Sequence, residues 1–299
     1  MEKGKKSLRT ILSYSLMFAM LISSLFMFRS ALAEPQMSND AEGILVSQSI
    51  HSEYDLYKEF INTSDEDLLK IGYTKEQIRA MKNINYKDAL KSKVDKLNKL
   101  DDVALKNAGY DKEHINIIRN YTGTEEQINA LSASLALSTY KGSSSKSSSY
   151  SQINFRTDWT WSSVPVWLET DILAVSWTEG MYVDLNSSYT YANYDLYNEW
   201  YESYDRTLST PVFSNLNTGA YIKFDIGHHN NDIGGLYAKK GKFGYKISRN
   251  AYVSQIAVQA KYGHNQMAVQ PSVSIPAGLS ISFSWSLVEA AILDKQFYL

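Results

Sequence analysis

From Glu53 to about Ser138 apolar residues recur at every third or fourth position, and beyond residue 152 they recur at every second. The first rhythm sets one face of a helix on a core; the second does the same for a strand. The chain therefore predicts an α+β multidomain protein. A small N-terminal helical domain comes first, and a largely antiparallel β-sandwich or barrel follows.

The helical stretch, 53–140, contains a repeat. Leu68-Leu69-Lys70-Ile71-Gly72-Tyr73-Thr74-Lys75-Glu76-Gln77-Ile78 lines up with Leu105-Lys106-Asn107-Ala108-Gly109-Tyr110-Asp111-Lys112-Glu113-His114-Ile115, an offset of 37 residues. Met81-Lys82-Asn83 continues the match against Ile118-Arg119-Asn120. Each glycine suits the left-handed position that stops a helix, and Thr74 or Asp111 suits the cap of the next one. Thr74 with Gln77 makes a capping box; Asp111 with His114 supplies only the cap. Each copy reads as a helix–turn–helix unit. Two copies fall short of the three that a solenoid needs, so a small bundle born of duplication is expected.

Residues 141–151, centred on Gly142-Ser143-Ser144-Ser145-Lys146-Ser147-Ser148-Ser149, read as a flexible linker by composition. After it, in 152–299, come all six tryptophans and clear two-residue alternations. Ile153, Phe155, Thr157, Trp159 and Trp161 form one such face. Ala220, Ile222, Phe224 and Ile226 form another; Tyr252, Ser254, Ile256, Val258, Ala260 and Tyr262 a third; and Leu279–Leu287 the cleanest. Lys240-Gly241 and Pro276-Ala277-Gly278 read as turns.

The first residues change the picture of where the chain works. Lys3, Lys5, Lys6 and Arg9 precede an apolar run from Ile11 to Phe28, and Ala31-Leu32-Ala33 offers small residues for cleavage. Residues 1–33 read as a secretory signal peptide cleaved after Ala33, which leaves a secreted, extracellular chain of 266 residues. An uncleaved anchor is the competing reading, since the run approaches the ~17–25 residues of a membrane span. Residues 34–52 are polar and read as a flexible leader. The full chain carries a formal charge of −2; loss of the five cations and Glu2 of residues 1–33 takes it near −6. A mildly acidic chain with no polybasic run argues against nucleic acid. With no cysteine, disulfides, thiolate ligands and a cysteine nucleophile drop out together.

The candidate ligand-binding residues are Tyr189, Tyr191, Tyr194, Tyr197, Trp200, Tyr201 and Tyr204, interleaved with acids and amides. Flat rings beside hydrogen-bonding groups suit a sugar, which has C–H faces and hydroxyl edges. Core packing is the bland alternative, and rings in one surface plane are what the sugar reading requires. His228-His229-Asn230-Asn231-Asp232 could ligate a metal, but adjacent histidines on a strand point apart and Asn-Asn-Asp is ordinary turn chemistry. An up-and-down meander would place His264 at the opposite end from that pair. Glu169 with Asp171, and Glu179 with Asp184, are available as acid pairs. Asn62, Asn120 and Asn186 fit the glycosylation pattern.

The expectation is a non-enzymatic binding protein with no cofactor or metal, contacting a glycan, cell-wall polymer or other cell-surface component. A membrane-active or pore-forming role, suggested by the lipid-facing alternation at Leu279–Leu287, is the second reading. In it the helices would restrain the β domain until the serine tether is processed. A secreted hydrolase is the third.

Overall fold

In a computed structural model the described residues are 43–70, 73–198, 204–208, 212–215, 217–228, 236–266, 272–275, 281–284 and 287–298. Residues 1–33, Gly72, Trp200, Tyr201, His229 to Asp232 and Pro276-Ala277-Gly278, with the readings placed on them, lie outside them.

The described residues open on a strand, β1 (Ile44–Ser52), where the polar composition predicts a leader. Helices follow: α1 (Glu53–Asn62), α2 (Asp65–Lys70), α3 (Lys75–Lys82), α4 (Tyr86–Leu97), α5 (Asp102–Asn107), α6 (Lys112–Arg119) and α7 (Glu125–Leu131). Their starts are capped as the side chains dictate. Thr74 accepts the Gln77 amide hydrogen while the Gln77 side chain accepts from the Thr74 amide. Thr124 and Gln127 repeat this box at α7. Asp111 accepts from the His114 amide at 2.9 Å, and Gly109 takes the left-handed φ of +90° just past α5.

The strands are β2 (Ser134–Lys146), β3 (Ser151–Trp161), β4 (Thr170–Trp177), β5 (Tyr182–Val183), β6 (Tyr191–Asn198), β7 (Tyr204–Leu208), β8 (Val212–Asn215) and β9 (Gly219–Asp225). Then come β10 (Gly227–His228), β11 (Leu236–Arg249), β12 (Gln255–Asn265), β13 (Ser272–Ser274), β14 (Ser282–Ser284) and β15 (Leu287–Tyr298). One antiparallel sheet has the order β1-β2-β3-β11-β6-β7, with β5 and β10 also on β11. The other runs β15-β12-β4-β9-β8, and β13 pairs with β14 apart.

The inner faces of both sheets feed one core. The first sheet supplies Phe155, Trp159, Trp161, Phe243 and Tyr245; the second supplies Leu173, Val175, Phe224, Val258 and Tyr262. Trp159, Trp161 and Trp177 are wholly buried, each worth about 4–6 kcal/mol of apolar burial as an upper figure. That burial stands in for the missing disulfides. β4 reads as an almost unbroken apolar run because both its faces are covered. Leu173 and Val175 face the other sheet, while Ile172 and Ala174 pack under Ile275, Ile281 and Phe283.

Several expectations are corrected here. The serine tract is no tether: residues 141–146 continue β2, and the chain turns at 147–150 straight into β3, with a bulge between Lys141 and Ser144. Serine's small polar side chain tolerates an exposed hairpin end as readily as a linker. Lys240-Gly241 is no turn but the middle of β11, where the Trp159 ring lies across the glycine and a Cβ would overlap it. A reversal at 241 therefore does not occur. Of the Leu279–Leu287 alternation, Ser282–Ser284 is β14 and Leu287 opens β15, while residues 279, 280, 285 and 286 lie outside the described residues; the side chains of Ile281 and Phe283 are packed inside rather than turned outward. Glu42–Leu299 forms one compact unit. Leu56 and Phe60 of α1, Leu68 of α2 and Ile78 and Met81 of α3 share the β core, while α4 to α7 gather round a second cluster that includes Tyr86, Leu90, Leu105 and Ile118.

Candidate functional site

Registers place three rows of side chains across the outward face of the first sheet. Leu45, Tyr140, Arg156, Gly244 and Tyr191 are successive cross-strand partners on β1, β2, β3, β11 and β6. Beside them run Gln48, Ser138, Asp158, Lys242 and Asn193, and then Ile50, Ala136, Thr160, Lys240 and Asp195. Alternation along each strand puts these on one face, opposite the buried core positions.

The first row is the aromatic one. The Arg156 guanidinium lies 4.4 Å from the Tyr140 ring centroid, and its Nε donates to Asp158 at 2.9 Å. Gly244 leaves the space that the Tyr191 ring occupies, since a Cβ there would run into it. Strand spacing of ~4.8 Å puts Tyr140 and Tyr191 roughly 14 Å apart on the face. The second row supplies hydroxyl, carboxylate, ammonium and amide groups. Gln48 donates to Ser138 at 3.2 Å. Burial pushes the Asp158 carboxyl up, and the Arg156 charge pulls against it. Lys240 pairs with Asp195 at 3.8 Å and Lys246 with Asp184 at 3.4 Å.

The tyrosine-rich tract does not form one plane. β6 is a strand, so its rings alternate. Tyr191 and Tyr197 face outward and are half-buried, whereas Tyr194 points into the core and packs at 5.7 Å on Phe224. Tyr189 precedes the strand and is 42% exposed. Tyr197 lies under Lys239 and Lys240, at 4.9 and 5.6 Å. Tyr204 sits across from Tyr197 on β7, and Trp200 and Tyr201 lie outside the described residues. Tyr140 and Arg156 escaped the sequence reading. Three registers, β2 on β3, β3 on β11 and β11 on β6, set them in one row with Tyr191, and the serine tract hid the first of these pairings.

A second polar cluster is buried. His264 on β12 sits between two carboxylates, Nδ1 at 3.0 Å from Asp171 Oδ2 and Nε2 at 3.0 Å from Glu53 Oε1, all three side chains fully buried. Glu53 also accepts from the amides of Val166 at 2.8 Å and Trp167 at 3.2 Å, and Tyr86 Oη lies 3.3 Å away. Asp171 accepts from Tyr262 Oη at 2.6 Å and the Asn265 amide at 2.8 Å. Every neighbour of these carboxylates is a donor, so the ring between them donates from both nitrogens and is an imidazolium. Burial alone would push the His264 pKa down; the Asp171 charge and the hydrogen bonds to Asp171 and Glu53 overcome it and raise the pKa to about 10. The phenols of Tyr86 and Tyr262 are held well above their ordinary value, by burial first and by the adjacent carboxylates second. Trp161 and Trp167 wall the ring at 4.9 and 6.5 Å.

This cluster sews α1 to the β body, and its three side chains are closed off from the protein surface. Asp171 thus pairs with His264 rather than with Glu169. Among the described residues no group of His, Cys, Asp and Glu is arranged to hold a metal, and no helix is long and apolar enough to cross a membrane.

No protein-family model matches the chain, and no curated protein matches it. Among solved structures it is similar to AvmM, described as catalysing macrocyclization in alchivemycin A biosynthesis. That match has 14% identity, covers 50% of this chain and 79% of that one, and has a TM-score of 0.22. It is similar to a structure containing manganese lipoxygenase of Gaeumannomyces graminis and zonadhesin of Komagataella pastoris. There the identity is 10%, the coverage 56% of this chain and 61% of that one, and the TM-score 0.24. It is also similar to a pore-forming protein at 7% identity, covering 56% and 78%, with a TM-score of 0.20. Overlaps this loose carry no argument about activity.

Proposed function

We propose that the chain is a secreted binding protein, without catalysis, whose outward face on the first sheet takes an extended glycan. The observation that carries this reading is the row Tyr140–Arg156–Gly244–Tyr191 beside the row Ser138–Asp158–Lys242–Asn193. Half-buried rings and a stacked guanidinium suit the C–H faces of sugars. The parallel line of hydroxyl, acid, ammonium and amide suits their hydroxyls. The length of the row favours a chain of sugar rings over a single one. Secretion rests on the basic, apolar and Ala-x-Ala pattern of residues 1–33.

Retention of the full mature chain on a panel of insoluble polysaccharides and cell walls tests the reading. At least one polymer should retain it, and the double variant Tyr140→Ala, Tyr191→Ala should pass through. Passage of the unaltered chain through every polymer, or release of dye from liposomes by the full chain, would move the assignment to the membrane-active reading.

A further inference from the structure

Glu53 enters a site built by the β body. Three donors converge on its carboxylate from outside the helices. The Val166 amide lies 2.9 and 2.8 Å from its two oxygens, the Trp167 amide 3.2 Å from Oε1, and His264 Nε2 3.0 Å from Oε1. The ring donor is fixed without help from Glu53. Asp171 holds His264 at its other nitrogen, while Tyr262 Oη and the Asn265 amide hold Asp171. Trp161 donates in turn to Tyr262 Oη at 3.3 Å. From the helical side come only Tyr86 Oη and, behind it, Ser132 Oγ at 3.0 Å. Glu53 itself stands at the first position of α1, where its own amide donates to the Ala133 carbonyl at 2.8 Å.

We infer that the Val166 amide, the Trp167 amide and His264 form a carboxylate-binding site of the β body, with Glu53 as its tethered occupant. A small free carboxylate takes the same place when the Glu53 side chain is shortened. The argument is one of preorganisation. Two amides and a ring nitrogen aimed at one carboxylate, in a dry pocket walled by Trp161 and Trp167, cost little to hold in place once Asp171 has set the ring. The helices are thus fastened by a contact of ligand type, which a free carboxylate replaces by mass action once the Glu53 side chain is shortened.

The test uses the full mature chain carrying Glu53→Ala. Its thermal midpoint should fall by several degrees and then climb with the logarithm of formate concentration. Sodium chloride at equal ionic strength should not raise it, and the unaltered chain should not respond to formate. Equal midpoints in formate and chloride overturn the inference. Should Glu53→Ala fold in neither salt, Glu53→Gln decides. NMR of the His264 ring should show it still protonated at pH 8 in the unaltered chain, and its titration midpoint should drop by more than one pH unit in the variant. An unchanged midpoint overturns the inference.

Discussion

Around His264 and around Arg156 the molecule sets a cation between a carboxylate and aromatic rings. At His264 the side chains are fully buried, and each polar side-chain atom of Glu53, Asp171 and His264 has a hydrogen-bond partner within the fold. At Arg156 and Asp158 the side chains keep about a fifth of their surface open, and the row continues onto Lys242 and Asn193 at the protein's face. The parts are alike and water separates their uses. A dry ion cluster costs desolvation and is costly to break from one side, so it serves as a pin. A half-wet cluster loses little when altered and keeps groups available to a ligand.

The largest effect should follow from breaking the dry side. His264→Asn leaves Glu53 and Asp171 as buried charges without their cation, and urea unfolding should register a loss of about 3–5 kcal/mol. A loss below about 1 kcal/mol would erase the contrast. The pH dependence carries the same information. His264 has a folded pKa of about 10, above its unfolded value near 6.5, so its contribution is whole below pH 6.5 and is lost as the pH rises through 10. Unfolding free energy measured across that window should decline in the unaltered chain, and the His264→Asn variant should lack this decline.

Gly241→Ala comes next. Its Cβ would overlap the Trp159 ring at the centre of the core, so overpacking should cost about 1–3 kcal/mol by thermal unfolding. Smallest is the wet side. Tyr191→Ala should shift stability by no more than about 1 kcal/mol while weakening retention on the bound polymer about tenfold, which is about 1.4 kcal/mol. If it unfolds the chain instead, the outward face is structural.

Much of the framework was legible because it is local. The alternations at Ile153–Trp161 and Ala220–Ile226 lie on β3 and β9 with the buried faces expected, and Thr74, Gln77 and Asp111 cap as their spacing implies. What escaped was set by pairing across distance. β1 is a strand because β2 partners it, although Ser47, Gln48 and Ser49 look like leader. The serine tract becomes a hairpin end because β3 returns alongside it. Glu53, Asp171 and His264 are spread over 211 residues of chain and share no motif, and the presumed turn at Gly241 pointed His264 elsewhere. The tyrosine tract showed its chemistry but hid its geometry. A strand splits Tyr194 from Tyr191, and the partners that matter, Tyr140 and Arg156, lie on other strands.

Hydrogen–deuterium exchange of the full mature chain, with and without soluble fragments of a retained polysaccharide, tests the assignment of the outward face most directly. The account predicts new protection along β2, β3, β11 and β6, with the amides around Glu53 and His264 unchanged. Protection gathered instead at α1, the 164–168 loop or the β13–β14 hairpin would contradict it.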